Sequence, residues 1–205
     1  MHKYIYPPRI ETKLPSSNLV VFDTMNKFMG DVKLNGSSMQ LYIDQSNVNT
    51  FNRHKERMDH KMNESELIDL NPYKNWMVLC GEYMNKNQKD EDGNHWNLKY
   101  VIWDILVLDG QHLLKTTFKE RLNILRDLYP DNPTKKHLHQ ISDNCFRTSP
   151  VDTGFKEIYD DITQYDMYEG LCLKRRNAKL KNGTTPNNNS EAQFKVRKPT
   201  KNYNF

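Results

Sequence analysis

The sequence Lys33-Leu34-Asn35-Gly36 lies inside an apolar segment, residues 30–43, whose composition predicts a β-strand. Asn-Gly is the dipeptide that most strongly favours a tight hairpin turn, so we expect the segment to be interrupted there as a hairpin. Lys33 would then stand at a strand end, with its amine directed towards whatever borders the turn. The alternative is an ordinary hairpin with a solvated lysine, since such a short string occurs often by chance.

Four further charged motifs follow in order along the chain. They are Gly81-Glu82, Tyr100-Val101-Ile102-Trp103-Asp104, Glu169-Gly170-Leu171-Cys172-Leu173-Lys174 and Phe194-Lys195-Val196-Arg197-Lys198. In the last motif, Phe194 and Val196 alternate with Lys195 and Arg197, so a strand would direct the apolar pair to the core and both cations to the opposite face. Glu169 and Lys174, five residues apart, would face opposite sides of a straight strand, so we expect a bend at Gly170 or a glutamate at the strand's mouth.

Strands are predicted over residues 76–80, 100–108, 169–175 and 194–198, and helices are predicted between these motifs. Thr117-Phe118-Lys119-Glu120 is a capping box, and the apolar spacing that follows predicts a helix ended by Pro130. A second amphipathic helix is predicted around residues 155–165 and a weak one over residues 55–70. Residues 1–18, broken by prolines, are expected to form an extended arm. The pattern indicates an α+β fold, with antiparallel strands, in one domain over residues 1–205.

Composition excludes several classes of protein. The chain has 205 residues, of which 36% are hydrophobic and 11% aromatic, too many for a disordered chain. No apolar run approaches the roughly 18 residues of a membrane span, and no apolar signal core follows Met1. The three cysteines form no C-x-x-C pair, so we expect reduced, mostly buried thiols in a cytosolic protein. Neither a P-loop nor a dinucleotide fingerprint occurs, so side chains must hold any phosphate.

The charge is concentrated at one end of the chain. Residues 171–205 carry nine Lys or Arg and one Glu, or +8, whereas the whole chain carries +4, which leaves −4 for the other 170 residues. With Phe194 and Tyr203 interleaved, such a segment can bind a nucleic-acid backbone or the phosphates of a nucleotide. A solvated basic tail is the alternative.

Taken in order, the five motifs resemble those of the covalent nucleotidyltransferase superfamily, which contains ATP-dependent DNA ligases, RNA ligases and mRNA-capping guanylyltransferases. The resemblance covers about residues 33–198, is nearest to the adenylyltransferase domain of phage-type RNA ligases, and implies an ATP-grasp-like ligase domain with helices flanking antiparallel sheets. In that family a K-x-D-G lysine attacks the α-phosphate of a nucleotide. Lys33 matches this nucleophile, with Leu34 and Asn35 beside it in the nucleotide site.

The resemblance also implies roles for the later motifs. Glu82 would hold the ribose hydroxyls, Trp103 would stack on the base, and Leu171 or Cys172 would lie under it. Glu169 would contact metal or the lysine, and Lys174 a phosphate. The last K-x-K motif falls on Lys195 and Arg197, with Lys198 as an alternative second cation. The nucleotide would be ATP, and Mg²⁺ or Mn²⁺ would bind Glu82 and Glu169.

Elementary chemistry agrees with these roles. A lysine amine has an ordinary pKa of about 10.4, so it is a poor nucleophile at neutral pH unless its charged form is destabilised. The cations Lys174, Lys195 and Arg197 could do this while neutralising a triphosphate. The substrate strand would be held by the remaining cations, for which we predict Arg53, Arg175 and Lys198. The alternative for Arg53 is a surface residue at the start of a helix.

Departures from the family pattern guide the choice of substrate. Asn35 replaces the commoner aspartate, and Ser38 stands where DNA ligases usually carry an arginine, which favours RNA ligases. The chain has no room for an OB-fold domain after Lys198, which also favours an RNA ligase or else a truncated catalytic core. We therefore expect an ATP-dependent polynucleotide ligase, RNA type favoured, that seals 5′-phosphate and 3′-hydroxyl ends.

Three alternatives stay open: a DNA ligase core, a capping guanylyltransferase, and an inactive nucleic-acid-binding module. The expected partner is nucleic acid, with no membrane association. We expect a monomer located in a cytoplasm, which for a viral protein would be that of the host.

Overall fold

The computed structural model describes residues 3–199 of the chain, and Lys201 and Tyr203 of the basic segment lie outside that range. Within it, the strands are β1 Thr12–Lys13, β2 Phe28–Leu34, β3 Ser37–Ile43, β4 Val48–Asn52, β5 Met77–Met84, β6 Lys99–Leu108, β7 Gln111–His112, β8 Pro133–Lys135, β9 Leu138–Gln140, β10 Cys145–Thr148, β11 Tyr168–Arg175 and β12 Gln193–Arg197. The α-helices are α1 Leu19–Thr24, α2 Glu64–Ile68, α3 Phe118–Leu128 and α4 Phe155–Ile162. This α+β composition is the one predicted.

The described strands form two sheets. The smaller has the order β1-β12-β11-β2, and the larger has the order β4-β3-β5-β6-β10-β9-β8, with β7 paired to β6. Neighbours are antiparallel except for β1 with β12 and β6 with β10. The helices α1 and α4 pack against the smaller sheet through an apolar cluster that includes Leu19, Phe155 and Ile162. A second cluster joins α3 to the larger sheet.

The predicted hairpin at Asn35-Gly36 is wrong. β2 pairs with β11 in the smaller sheet, whereas β3 pairs with β4 and β5 in the larger one, so the turn carries the chain from one sheet to the other. Asn35 N–H donates to the carbonyl of Met167 (2.9 Å), which bends the chain away from its own strand. A Cβ on Gly36 would lie 2.5 Å from the carbonyl oxygen of Tyr83, so only glycine fits this corner.

The secondary-structure elements with the strongest sequence signals were predicted correctly. The Thr117 capping box opens α3, because the Thr117 side chain accepts from the Glu120 N–H and the Glu120 carboxylate accepts from the Thr117 N–H. The strands predicted over residues 100–108, 169–175 and 194–198 are β6, β11 and β12 within a residue or so. The three cysteines are free and buried, as predicted.

Weaker signals gave inexact bounds for two elements, a helix and a strand. The helix predicted over residues 55–70 is confined to Glu64–Ile68, where the Asn63 side chain caps it by accepting from Ser65 N–H. The strand predicted over residues 76–80 continues to Met84. Of the arm predicted over residues 1–18, the described residues 3–15 are irregular and largely extended, with β1 inside them, and Ser16–Asn18 form a 3₁₀ turn.

No helix within residues 3–199 combines the length and the apolar character that crossing a membrane requires.

Candidate active site

A cavity of about 390 Å³ lies between the two sheets. The smaller sheet contributes β2, β11 and β12, and the larger contributes β3, β5, β6 and β10. The lining residues that the sequence had singled out are Lys33, Leu34, Arg53, Glu82, Trp103, Cys172, Lys174, Lys195 and Arg197. The structure therefore brings together, from all five motifs, most of the predicted site.

Lys33 is the centre of an ion-pair group at the end of β2. Its Nζ lies 2.6 Å from Glu169 Oε2, and the same oxygen lies 3.2 Å from Arg197 Nε. The side chains of Lys33 and Glu169 are 18% and 25% exposed, so the amine is sheltered but accessible from the cavity. The lysine, the glutamate and the arginine come from three adjacent strands, which fixes their separations by sheet hydrogen bonding.

Gly170 directs Glu169 towards Lys33. The register between β11 and β2 shifts between Tyr168 and Gly170, and Gly170 has φ +146°, in the region that favours glycine. A Cβ at this position would lie 1.9 Å from the carbonyl oxygen of Val196. The bend predicted at Gly170 is therefore confirmed, and it lets Glu169 and Lys174 serve the same side of the sheet.

Glu82 approaches the same region from β5 of the larger sheet. Its Oε1 accepts from the N–H of Gly36 (3.2 Å), so the corner between the sheets also anchors this carboxylate. Burial raises the pKa of Glu82 to about 7; the charge of Lys33 acts in the opposite direction, and that of Glu169 raises it further. A carboxyl that titrates near neutrality inside a cavity is typical of a functional position.

Asp31 is a site residue that the sequence interpretation missed. It is buried on β2, two residues before Lys33 and hence on the same face, and its Oδ2 lies 2.6 Å from Lys174 Nζ. Its Oδ1 has no hydrogen-bond partner among the described residues. The alternation of side chains along β2 was the available signal, because it places residue 31 beside residue 33.

The contact with Asp31 determines where Lys174 lies in the cavity. The side chain is almost fully buried, with its Nζ also over the Trp103 ring (4.9 Å to the centroid). Lys174 therefore lies at the Asp31 end of the cavity, about 7 Å along β2 from Lys33, since two strand residues span that length. The phosphate contact of Lys174 stays a prediction; in this structure its side chain lines the cavity and its amine contacts Asp31.

Trp103 lines the cavity from β6. The next residue, Asp104, holds β6 in place through an ion pair with α3. Asp104 makes a buried, two-pronged contact with Arg121 of α3, at 2.7 and 3.0 Å. Arg121 also donates to the carbonyl of Thr116 (2.9 Å). This ion pair joins β6 to the first turns of α3 and so positions the indole ring.

Cys172 lies in the cavity lining, whereas Leu171 is in the core, and burial raises the pKa of the Cys172 thiol to about 11.

Lys195 faces the cavity as the alternation in its strand predicted. Burial lowers its pKa, and the charges of Arg197 and Lys33 lower it further. Its Nζ donates to the carbonyl of Ile10 (3.2 Å), so the N-terminal arm contacts the site directly. Residues 6–11 of that arm line the cavity, which the sequence did not indicate.

Three predicted residues lie elsewhere. Asn35 has its side-chain amide 3.4 Å from the carbonyl of Asp166 and supports the corner rather than lining the cavity. Arg175 lies over the Phe28 ring, beside a separate groove. Lys198 donates to the carbonyls of Thr163 and Tyr165 beyond the end of α4, and burial lowers its pKa. Its amine is occupied by these acceptors, which is the physical reason that it is turned away from the cavity.

Residues 62–190 match the model of the family described as ATP dependent DNA ligase domain. The chain belongs to this family. The matched part of the ligase domain contains Glu82, Trp103, Glu169 and Lys174, whereas Lys33 precedes it. No curated protein sequence matches the chain.

Solved structures give the same fold over nearly the whole ligase domain. Mycobacterial DNA ligase D complexed with ATP and MES has a TM-score of 0.62 at 16% identity, over 94% of this chain and 60% of that one. The ligase domain of M. tuberculosis LigD has a TM-score of 0.58 at 16% identity, over 87% and 56%. A Lig E DNA ligase structure has a TM-score of 0.56 at 16% identity, over 95% and 70%. The chain thus spans about three fifths of the first of these proteins.

Two carboxylates near Lys33, those of Glu82 and Glu169, could supply ligands to a divalent cation. Glu82 and Glu169 flank Lys33 from opposite sheets, close enough that the charge of Glu169 raises the pKa of Glu82. Two carboxylates that repel one another are a favourable pair of ligands for a divalent cation, which takes its other ligands from phosphate and water. Within residues 3–199 no group of three or more His, Cys, Asp or Glu could hold a metal.

Proposed function

We propose that this ligase domain is an ATP-dependent polynucleotide ligase in which Lys33 becomes covalently linked to AMP. The observation that carries the proposal is the position of the Lys33 amine, 2.6 Å from Glu169, in a sheltered cavity lined by further cations. A nucleophilic lysine with a carboxylate in contact and cations around it is what attack on a phosphoryl group requires.

In the first step, the Nζ of Lys33 attacks the α-phosphorus of ATP. The N–P bond forms as the P–O bond to the β-phosphate breaks, and pyrophosphate leaves with the electron pair of that bond. Glu169 is placed to accept the proton that Lys33 loses, because its Oε2 already contacts Nζ. Arg197 shares this oxygen and holds the carboxylate in position.

Lys195 and Arg197 supply the positive charge that the developing pyrophosphate needs. Both side chains leave the same face of β12, and this face lines the cavity. A divalent cation bound by Glu82 and Glu169 would add charge neutralisation at the phosphates. Glu82 would hold such an ion in its ionised form, so binding of the ion below pH 7 would displace the Glu82 proton.

The opposite end of the cavity fits an adenine. Trp103 offers an aromatic face, and Asp31 Oδ1 is a buried acceptor with no partner among the described residues. An exocyclic amine such as N6–H of adenine would satisfy it, whereas the O6 acceptor of guanine would leave two acceptors facing each other. This supports ATP over GTP as the nucleotide.

In the second step, AMP passes from Lys33 to a 5′-phosphate end, and in the third step a 3′-hydroxyl displaces AMP and joins the strands. The family match supports a DNA strand. Ser38 is the residue that favoured an RNA ligase. The pairing of Met39 with Asn52 places Ser38 opposite Arg53. Ser38 and Arg53 both line the cavity. Arg53, in the turn that follows β4, therefore supplies the guanidinium that Ser38 lacks, so we put nicked DNA first and nicked RNA second among substrates.

The test is the intact mass of the protein after incubation with Mg²⁺ and ATP, GTP or NAD, in parallel with Lys33→Ala and Lys33→Arg. A gain of one AMP from ATP alone, absent in both variants, is expected. A GMP adduct would indicate a guanylyltransferase instead. No adduct together with salt-sensitive nucleic-acid binding would indicate a binding module and refute the proposal.

Sealing is then measured with the AMP adduct on nicked DNA and nicked RNA of the same sequence. Arg53→Ala is compared with Arg57→Ala, a matched arginine in the same loop that does not line the cavity. Loss of sealing in Arg53→Ala with unchanged adduct formation is expected if Arg53 contacts the strand. Sealing of RNA alone would overturn the preference for DNA.

A further inference from the structure

The N-terminal arm lines the cavity along residues 6–11, and we name this segment the strap. The strap is held at both ends. Tyr6 N–H donates to the carbonyl of Gly183, and the Asn188 side chain donates to the carbonyl of Tyr6, both at 2.8 Å. At the other end the carbonyl of Ile10 accepts from Lys195 (3.2 Å).

The strap is also stiff. Pro7 and Pro8 have their φ angles fixed by the pyrrolidine ring, and both are buried. The next residue, Arg9, donates its N–H to the carbonyl of Asn188 (2.8 Å), and β1 then pairs with β12. The backbone of Arg9 is therefore held in place before any ligand arrives, which lowers the entropic cost of binding through its side chain.

Arg9 differs electrostatically from most cations around it. Lys33 and Arg197 contact Glu169, and Lys174 contacts Asp31. For Arg9, no carboxylate within residues 3–199 lies in ion-pair distance, although its partly buried side chain lines the cavity. A sheltered guanidinium that lacks an anion favours the arrival of one.

The course of the strap indicates which part of a nucleotide Arg9 meets. Pro8 shares a small neighbouring pocket with Phe118 and Lys174, at the end assigned to the base. Ile10 is bound by Lys195, at the end assigned to the phosphates. Arg9 precedes Ile10, and its charge contributes to the lowered pKa of Lys195. Its side chain therefore lies on the Lys195 side of the cavity, the side assigned to the phosphates.

We propose that Arg9 binds the β- and γ-phosphates of the nucleoside triphosphate, the portion released as pyrophosphate. The assignment rests on the proposed function for the position of the α-phosphate at Lys33. A guanidinium forms two parallel hydrogen bonds to phosphate oxygens, which a lysine amine cannot do. The strap would thus complete the nucleotide site with a residue from outside the five motifs.

The test compares ATP with AMP by calorimetric binding, using protein that carries Lys33→Ala so that no covalent step occurs. Arg9→Ala is expected to weaken ATP binding by about 10- to 100-fold, the range for hydrogen bonds to charged groups, and AMP binding by less than about twofold. Arg9→Lys should fall between these values for ATP. Lys3→Ala removes an exposed cation of the same arm outside the cavity and should change neither affinity.

Two results would overturn the assignment. Equal losses of ATP and AMP affinity in Arg9→Ala would mean that Arg9 contacts the nucleoside or only supports the strap. Unchanged ATP affinity, or a parent protein that binds ATP no more tightly than AMP, would mean that it contacts no phosphate. Adduct formation with native Lys33 decides the proposed function separately, so the two proposals can fail independently. Melting temperatures of all variants show whether each is folded.

Discussion

Glu82→Gln should make the protein more stable at alkaline pH, although it removes a carboxylate from the site. In the folded chain the pKa of Glu82 is about 7, against an ordinary value of 4.5. The folded state therefore holds the Glu82 proton more tightly than the unfolded state does. The stability that this proton contributes is fully present below pH 4.5 and is lost as the pH rises towards 7.

The size of the effect follows from the shift. From the two pKa values, the cost of ionising Glu82 in the folded protein grows by roughly 2 to 3 kcal/mol between pH 5 and pH 8. Glutamine carries no charge, and its amide oxygen can still accept from Gly36 N–H. The variant should therefore gain about 2 to 3 kcal/mol relative to the parent over this range, or about 4 to 12 °C in melting temperature for a chain of this length.

The measurement is thermal unfolding of the parent and of Glu82→Gln at pH 5 and pH 8 in the absence of divalent cations. The difference between the two proteins should be small at pH 5 and large at pH 8, in favour of the variant. Glu56→Gln, an exposed glutamate outside the cavity, is the control and should show no such trend. If the difference between parent and Glu82→Gln does not grow with pH, Glu82 is not destabilised by burial and the reasoning fails.

Three further substitutions test other parts of the site. Gly170→Ala is expected to cost more than about 3 kcal/mol in urea unfolding, because its Cβ would meet the neighbouring strand, and a loss under about 1 kcal/mol would mean that the bulge relaxes freely. Asp104→Asn leaves the buried Arg121 without its counter-charge and should cost about 3 kcal/mol; an unchanged unfolding midpoint would contradict this. Asp31→Asn adds a donor at the base end, so the preference for ATP over GTP in adduct formation should fall by about tenfold or more, and a preserved preference would show that Asp31 does not contact the base.

The elements with strong local signals could be predicted because local chemistry decides them. The capping box of α3 and the alternating cations of β12 depend on residues within one turn or one strand. By contrast, α1 has the sequence Leu-Val-Val-Phe-Asp-Thr, whose β-branched and aromatic residues favour a strand. It is a helix because Leu19 packs against α4 and the smaller sheet, a tertiary contact that no local pattern reveals.

The candidate site also combines residues that the sequence reveals with contacts that it does not reveal. Lys33, Glu82, Trp103 and Lys195 belong to motifs whose spacing is visible in the sequence, and all four line the cavity. The partner of Lys174 was not visible, because its contact with Asp31 crosses from β11 to β2, over a separation of 143 residues. The corner at Asn35-Gly36 was misjudged for a related reason: the dipeptide favours a turn, but the partners of the two flanking strands decide which way the chain goes.

The contact between the strap and β12 can form only after β12 has been synthesised. Lys195, which binds the carbonyl of Ile10, is made 185 residues after it. At typical translation rates of about 5 to 20 residues per second, this separation is roughly 10 to 40 s, during which the N-terminal segment waits without its partner. Translation products that stop before β12 would contain the nucleophile and both glutamates but would lack the cavity wall that β12 supplies, so a nascent chain becomes competent to react with ATP only after β12 has been made.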